Sequence, residues 1–213
     1  MVGIPLEITT VEKPNATATG TTVSKTATEY PVSQADANAK TSGLPLPVSV
    51  SSLDVQSGSM TTEVLYKQYD TKGNLQQYTL RPDAYGSSGK PVVIIWGYNN
   101  TRPIAKIEGA LYESIKNHTL ITAIINASNT DAAQAPGNDE TVLLTALDNV
   151  RKSPDFANFQ ITTYTYDPLI GVRSITPPSG VREVYNYDTA NRLKEVKDIN
   201  GNVLKEYQYN YKH

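Results

Sequence analysis

The residues of this chain that could do chemistry are mainly carboxylates, and their spacing does not point to catalysis. Asp and Glu together number 21 in 213 residues, so a carboxylate pair can arise by chance, but no motif brings two of them together. The two histidines, His118 and His213, do not stand in a metal-ligand spacing such as H-x-x-x-H. No nucleophile elbow, phosphate-binding loop or dinucleotide fingerprint is present. We therefore predict a non-enzymatic protein with no metal site and no cofactor.

Composition removes further classes of function. Cysteine is absent, which excludes disulfides, thiolate metal sites and cysteine nucleophiles. The net charge of −2 gives no basic surface for nucleic acid. No apolar run is long enough for a membrane-spanning helix, and no signal peptide is visible. With 38% hydrophobic residues, the composition is typical of a β protein with one or both faces in water.

Tyrosine is the residue that recurs in a regular setting. Five tyrosines, separated by 29, 68, 21 and 22 residues, share their flanking residues and define a repeat. These anchors are Tyr69, Tyr98, Tyr166, Tyr187 and Tyr209. The residues that follow them are Asp70, Asn99, Asp167, Asp188 and Asn210. The aromatic residues two positions before the last four anchors are Trp96, Tyr164, Tyr185 and Tyr207.

We interpret each repeat as a β-hairpin. Residues two apart in a strand face the same side, so the two aromatic residues of a repeat are neighbours on one face. Asp or Asn then ends the strand, because its side chain can accept hydrogen bonds from nearby amides and start a turn. Gly73 can supply a positive φ angle at little cost, and Asn200 with Gly201 predicts a two-residue type I′ turn. The predicted turns are therefore 70–74, 188–192 and 200–201.

One detail of the repeat does not fit a regular strand. Apolar residues stand six and nine positions after the anchor, as Leu193 and Val196 do after Tyr187. Because these positions differ by three, a regular strand would place them on opposite faces. Either both faces are partly covered, or a bulge intervenes.

The pattern resembles the RHS/YD-repeat family, whose unit has the form Y-x-Y-D-x-x-G-x-L followed by a second turn around D-x-x-G. The matching stretches are 69–75 and 185–209. The order of segments is similar to a Bacteroidota branch of that family: Trp96-Gly97-Tyr98-Asn99, then a helical insert, then 163–169. The likeness extends over most of the chain.

The resemblance implies a structural role. In the family, such repeats wind into β-sheet spirals or hollow shells, and they occur in exported toxins and cell-surface proteins. On this basis we expect an extracellular or cell-surface wall or container whose partners are neighbouring repeats of a longer chain or another protein. The stretch 203–211 is then expected to be an edge strand that pairs with such a neighbour. As an alternative, the aromatic face binds a glycan or a protein, although cross-strand packing explains the same residues without a ligand.

The predicted fold is mainly β, with consecutive antiparallel YD-type hairpins in an extended or curled sheet and a two-helix insertion. Residues 1–60 are interpreted as a Thr/Ser-rich β segment, 61–103 as the first hairpins, 104–159 as the helical insertion and 160–213 as the C-terminal repeats. These parts are taken as one continuous structural unit.

Two of these parts carry more specific predictions. In the N-terminal segment, 4–11 is expected to pair with 21–30, and Ser33 to cap a helical turn over 33–39. The alternative for this segment is a partly disordered linker. In the insertion, helices are predicted over 110–127 and 139–152, with a loop over 129–137 between them. Their apolar stripes are expected to pack against the strand at 92–96.

One further motif, Asp167-Pro168-Leu169-Ile170-Gly171, is superficially similar to the self-cleaving aspartyl-protease core that some RHS proteins carry. The second D-P-[IL]-G-L element of that core and its dense aromatic context are missing from this chain. A proline-stabilised turn after a strand explains the same residues. We predict a turn here, and no catalytic residue.

Overall fold

A computed structural model describes residues 6–83, 88–133, 139–167 and 169–211 of the chain. Of these residues, 42% lie in strands and 20% in helices, so the fold is mainly β, as predicted. The chain divides into two compact units, Met1–Val92 and Val93–His213. In each unit, the strands are hydrogen-bonded in the order in which they occur in the sequence, and every pair with a resolved register is antiparallel.

The first unit is a series of hairpins with a small core. Its elements are β1 (Glu7–Glu12), β2 (Thr21–Glu29), α1 (Gln34–Lys40), β3 (Ser49–Asp54), β4 (Ser59–Tyr69) and β5 (Leu75–Leu80). The predicted N-terminal hairpin is confirmed for the described residues, with Glu7 opposite Ala27. The helix N-cap is also confirmed, because the Ser33 Oγ accepts a hydrogen bond from the Asp36 amide at 3.1 Å. The described part of this segment, 6–60, is therefore folded and is not an unstructured linker.

The second unit contains the helices and the C-terminal repeats. Strand β6 (Lys90–Gly97) crosses the boundary between the units. The elements that follow are β7 (Arg102–Glu108), α2 (Tyr112–Ile115), α3 (Thr119–Ala132), α4 (Thr141–Lys152), β8 (Gln160–Asp167), β9 (Gly171–Thr176), β10 (Glu183–Tyr187), β11 (Leu193–Asp198) and β12 (Val203–Glu206). None of the helices in the described ranges combines the length and apolar content that crossing a membrane requires.

The predicted packing of the helices on a sheet face is confirmed. Leu143, Leu147 and Val150 recur at helical spacing on α4, and each is at most 1% exposed. Helix α3 contacts β7, and α4 contacts β8. Val93 and Ile95 of β6 belong to the same hydrophobic core as these helices. The apolar stripes of the insertion therefore cover one face of the sheet in this unit.

The boundaries of the insertion differ from those predicted. Strand β7 occupies 102–108, so the first residues of the predicted helical range are strand. The helix predicted over 110–127 is interrupted after the short α2, and α3 restarts behind His118, whose backbone is extended and whose Nδ1 accepts a hydrogen bond from the Leu120 amide at 3.2 Å. Helix α3 then continues to Ala132, so the start of the predicted 129–137 loop is helical. Residues 134–137 of that loop lie outside the described ranges.

Candidate functional site

Three aspartates build the same turn at three places in the chain. At 70–74, the Asp70 Oδ1 accepts hydrogen bonds from the amides of Lys72 and Asn74, both at 2.8 Å, and the Asp70 Oδ2 accepts one from the Asn74 side chain at 2.9 Å. At 188–192, Asp188 Oδ1 accepts from the amides two and four residues ahead, at 2.8 and 3.0 Å. The Arg192 side chain donates to Asp188 Oδ2 at 2.8 Å. The turns predicted at 70–74 and 188–192 are thus confirmed.

The third turn corrects a prediction. Asn200 and Gly201 do not form a two-residue type I′ turn, because Gly201 has a φ of +84° whereas Asn200 does not have a positive φ. The loop runs instead from Asp198 to Asn202, and the Asp198 amide donates to the Asn202 carbonyl at 3.0 Å. Asp198 Oδ1 accepts from the amides of Asn200 and Asn202, both at 2.9 Å. Asp198 therefore decides the turn. It is the first residue of the D-x-x-G unit, and the prediction gave more weight to the Asn-Gly pair.

In all three turns the third residue after the aspartate has left-handed backbone. It is Gly73 at +87°, Asn191 at +58° and Gly201 at +84°. Glycine and asparagine tolerate this region better than other residues. The Arg192 side chain lowers the pKa of Asp188, and the Asn202 side chain lowers that of Asp198. These carboxylates already accept several hydrogen bonds within their own turns. Their role is therefore to stabilise the turn.

The turn at Asp167 is a shorter variant. Asp167 Oδ1 accepts from the Leu169 amide at 3.2 Å, and the Ile170 amide donates to the Asp167 carbonyl at 3.1 Å. Asp167 stands opposite Gly171 in the β8–β9 pair. Pro168 lies outside the described residues. The geometry of the described part is that of the predicted turn.

A bulge accounts for the apolar positions six and nine residues after the anchor. In the β10–β11 pair, Tyr187 stands opposite Leu193 and Tyr185 opposite Val196, with a register shift between them. In the β8–β9 pair, Tyr166 stands opposite Val172 and Tyr164 opposite Ile175, again with a shift. Opposed residues of antiparallel strands point to the same side, so the bulge places both apolar residues on the tyrosine face. Of the two alternatives, the bulge is therefore the one observed.

The hydroxyl groups of three anchors tie one hairpin to the preceding part of the chain. Tyr187 donates to the Val172 carbonyl at 2.8 Å, and Tyr209 donates to the Leu193 carbonyl at 2.8 Å. Both acceptors occupy the same place in the repeat, six residues after the previous anchor. Tyr69, in the first unit, donates to the Pro47 carbonyl at 2.7 Å. Burial raises the pKa of Tyr69 and of Tyr187, so both hydroxyls stay protonated as donors.

The predicted aromatic face is only partly assembled as one surface. Tyr164, Tyr185 and Tyr187 share a face of the second unit with Val196, on the side opposite the buried Ile161 and the helices. The Tyr185 hydroxyl donates to Glu183 at 2.9 Å, and burial raises the pKa of Tyr185 to about 12. Trp96, in β6, is half-buried and alternates with the core residue Ile95. Tyr69, Asp70 and Gly73 belong to the first unit.

The C-terminal tyrosines are held by an arginine. The Arg192 guanidinium lies 4.6 Å from the ring centre of Tyr209 and 5.5 Å from that of Tyr211, and its Nη1 donates to the Tyr211 hydroxyl at 2.6 Å. Strand β12 ends at Glu206, so the edge strand predicted over 203–211 is shorter than expected. The Tyr207 amide still donates to the Lys194 carbonyl at 2.9 Å. Beyond β12, the chain is therefore held by this backbone bond and by the side chains of Tyr209 and Tyr211.

Tyr98 departs from the other anchors because it is 2% exposed. Its hydroxyl donates to Asp131 Oδ2 at 2.9 Å and accepts from the Tyr166 amide at 2.9 Å. Its ring meets that of Tyr166 edge to face, with 5.6 Å between the centres. Tyr98 therefore serves as a core residue between α3 and β8.

Sequence reasoning missed a buried carboxyl, Glu140, which is 7% exposed at the start of α4. Its Oε2 accepts from the Thr165 hydroxyl at 3.2 Å and lies 3.6 Å from Arg173 Nε. No signal in the sequence distinguishes this glutamate from the exposed ones, because its burial follows from the packing of α4.

The histidine of the insertion has a structural role in this arrangement. His118 Nε2 lies 3.2 Å from Asp155 Oδ2, and its ring packs edge to face on Phe156 at 4.9 Å. Within the described ranges, no group of three or more His, Asp or Glu side chains is placed to hold a metal ion. His213 lies outside those ranges.

Comparison with known proteins gives a distant likeness. No family model matches the chain, and no curated protein matches it. A crystal structure of TcdB2-TccC3 without its hypervariable C-terminal region aligns with 86% of this chain at a TM-score of 0.40 and 13% identity. A crystal structure of TcdB2-TccC3-Cdc42 aligns over the same share at a TM-score of 0.39 and 13% identity. In both cases this chain spans 8% of the length of the matched chain.

Proposed function

We propose that this chain is a non-enzymatic structural segment of an RHS/YD-type repeat protein and that it builds part of a β-sheet wall. The observation that carries the proposal is the repeated tyrosine bond, in which the Tyr187 and Tyr209 hydroxyls each donate to the carbonyl six residues after the previous anchor. Groups that recur at fixed positions and bind the neighbouring hairpin are what an array needs to keep its repeats in place.

The same proposal covers location and partners. A wall of this kind would act outside the cell or at the cell surface, where the sequence resemblance to the Bacteroidota branch also points. Its partners would be further hairpins of a longer chain or another protein. The terminal strands support this part of the proposal, because every residue of β1 and of β12 is exposed and an edge strand offers unpaired backbone groups.

The tyrosine hydroxyl provides the test. Changing Tyr187 or Tyr209 to Phe removes one hydrogen bond and leaves the ring, so each change should lower the free energy of unfolding by about 0.5–1.5 kcal/mol. Tyr207→Phe is the matched control. Tyr207 and Tyr209 are 42% and 43% exposed, and the Tyr207 hydroxyl has no hydrogen-bond partner among the described residues. Urea unfolding of the four proteins gives the comparison. Equal stability of Tyr187→Phe, Tyr209→Phe and Tyr207→Phe would contradict a locking role for the hydroxyls.

A second candidate function is binding of a glycan or a protein by the aromatic residues. The exposure of Tyr209 and Tyr211, at 43% and 68%, favours it, because aromatic rings that stay open to solvent can stack on a ligand. A glycan array separates the two candidates. Retention of one sugar class by the native chain, lost in Tyr211→Ala without a change in unfolding, would favour binding over a purely structural role.

A further inference from the structure

The loop between β6 and β7 is held in an unfavourable backbone conformation. Tyr98, Asn99 and Asn100 have φ angles of +50°, +58° and +60°. Left-handed backbone is unfavourable for residues with a side chain, and three in succession are rarely found outside sites where the surroundings impose them. The loop therefore depends on contacts with other elements.

Those contacts come from the last turns of α3. The Tyr98 amide donates to Ser128 Oγ at 3.2 Å, and the Asn99 amide donates to Asn129 Oδ1 at 2.7 Å. The Tyr98 hydroxyl donates to Asp131 Oδ2 at 2.9 Å. A small shift of the C-terminal end of α3 would thus weaken three bonds to the strained loop at once.

Glu140 and Asp131 are linked to adjacent residues of β8. Glu140 accepts from the Thr165 hydroxyl, and Asp131 accepts from the Tyr98 hydroxyl, which in turn accepts from the Tyr166 amide. The Asp131 carboxylate accordingly acts on Glu140 electrostatically. Its Oε2 meets Thr165 and Arg173, whereas its Oε1 is buried and has no hydrogen-bond partner in the part of the chain that the structure describes. The charged and titratable groups around it are Asp131 of α3, Arg173 of β9, Asp167 of β8 and Tyr98 of the strained loop. Two of these groups are carboxyls, and Arg173 is the one cation among them.

This setting favours the neutral form of Glu140. Burial, opposed by Arg173 and reinforced by Asp131, raises the pKa of Glu140 to about 7 from an ordinary 4.5. A carboxyl with a raised pKa stabilises the fold fully below its ordinary pKa, and that contribution is lost as the pH rises through the folded value. The window for Glu140 is therefore pH 4.5 to 7, and the fold weakens towards the upper end.

We propose that Glu140 and Asp131 form a proton-operated latch, which holds α3 against the β6–β7 loop in acid and loosens it at neutral and higher pH. When Glu140 loses its proton, its negative charge repels Asp131 across a buried space. Displacement of Asp131 breaks its bond with the Tyr98 hydroxyl, and the left-handed loop then loses one of the contacts that keep it in place. A structural wall built from this chain would be stiffer in an acidic compartment than at neutral pH.

Glu140→Gln is the direct test, because glutamine keeps the size and the acceptor of glutamate but has no proton to lose. The measurement is hydrogen exchange between pH 5 and pH 8, expressed as protection relative to the intrinsic rate at each pH. In the native chain, protection of the Tyr98, Asn99 and Tyr166 amides should fall by roughly 10- to 100-fold across this range. In Glu140→Gln it should stay nearly constant.

Two further variants keep the proposal open to contradiction. Glu113→Gln changes an exposed glutamate of α2 and should keep the native pH response. Arg173→Gln removes the cation that opposes burial, so protection should be lost at a higher pH than in the native chain. If Glu140→Gln fails to fold, Arg173→Gln still tests the proposal through the pH at which protection is lost.

The amides of Asp188 and Asp198, in the turns that follow β10 and β11, serve as an internal reference. Their protection should not change with pH between pH 5 and pH 8. A native chain without the pH response would overturn the proposal, as would the same response in Glu140→Gln or an unshifted response in Arg173→Gln.

Discussion

Two parts of the second unit are built from the same repeat and are held together by different forces. In the part covered by helices, β7 to β9 pack under α3 and α4, and residues such as Leu143 and Ile107 are at most 1% exposed. In the uncovered hairpins β10 to β12, Val196 is the one described residue that is buried. The contacts between these hairpins are the strand ladders, the aspartate turns and the tyrosine hydroxyls. The repeat thus specifies turn and register, whereas a buried core forms where the inserted helices pack on the strands.

The largest effect is expected in the covered part. Leu143→Ala and Leu147→Ala should each lower the free energy of unfolding by about 2–5 kcal/mol, because both side chains are 1% exposed and leave a cavity when truncated. Val142→Ala, on the same helix and 71% exposed, is the control and should change it by less than about 0.5 kcal/mol. Urea unfolding measures all three. Near-zero values for both leucines would mean that α4 does not contribute to the core.

The next effect concerns the close approach of α3 to β6. A Cβ added at Gly97 would stand 2.2 Å from Ser128 Oγ and 2.8 Å from Ile104 Cγ2, so Gly97→Ala should cost about 1–3 kcal/mol. Ser128→Ala removes the nearer of these atoms. In a double-mutant cycle, the cost of Gly97→Ala should therefore be smaller in the Ser128→Ala background than in the native chain. Strict additivity would show that the contact does not limit the approach.

A smaller effect is expected where the two parts meet. The Arg151 guanidinium, at the end of α4, donates to the carbonyls of Ile161, Thr176 and Pro177. Arg151→Met should lower the free energy of unfolding by about 1–2 kcal/mol, because it removes the guanidinium donor from three carbonyls at once. Arg151→Lys should retain only part of the stability that Arg151→Met loses, since an ammonium lacks the forked geometry of the guanidinium. The exposed neighbour Lys152, changed to Met, is the control. A full rescue by lysine would show that charge alone matters.

The smallest effect is a difference in how stability depends on pH. The part covered by helices and the uncovered hairpins should respond with opposite signs. The Asp188 and Asp198 carboxyls have pKa values below the ordinary 3.8, chiefly through Arg192 and Asn202. A depressed carboxyl stabilises the fold above its ordinary pKa, and the contribution is lost as the pH falls through the folded value. The uncovered turns should thus loosen below about pH 4, whereas acid strengthens the surroundings of Glu140. Hydrogen exchange of the Ala190 and Asn200 amides between pH 5 and pH 3 checks this. Asp188→Asn and Asp198→Asn should remove the response, and its persistence would contradict the assignment.

The hairpins could be predicted because their signals are local. Asp70 and Asp188 bind amides within their own turns, and Ser33 caps the helix that follows it directly. The periodic Leu143 and Leu147 likewise identified α4 and its buried side. The one wrong turn, at Asn200 and Gly201, followed from weighing a two-residue signal above the aspartate that precedes it.

The features that escaped prediction depend on residues that are distant in the sequence. The left-handed loop at Tyr98 exists because Ser128 and Asn129 hold it, thirty residues further on. The break before α3 depends on His118, which packs on Phe156. Glu140 is buried by the arrangement of α4 over β8, and the residues next to it in the sequence do not indicate this burial. Gly97, next to the tyrosine, was the one available hint of a close helix approach.

The direction of the tyrosine bonds has a consequence for how the chain folds. Tyr69, Tyr187 and Tyr209 donate to Pro47, Val172 and Leu193, so each donor lies later in the chain than its acceptor. Each aspartate turn also closes within five residues, which keeps the entropy cost of hairpin formation low. A hairpin can therefore form as soon as it has been synthesised and dock onto one already in place. Tyr98 is the exception, because its hydroxyl donates forward to Asp131, so the β6–β7 loop must wait for α3 to emerge.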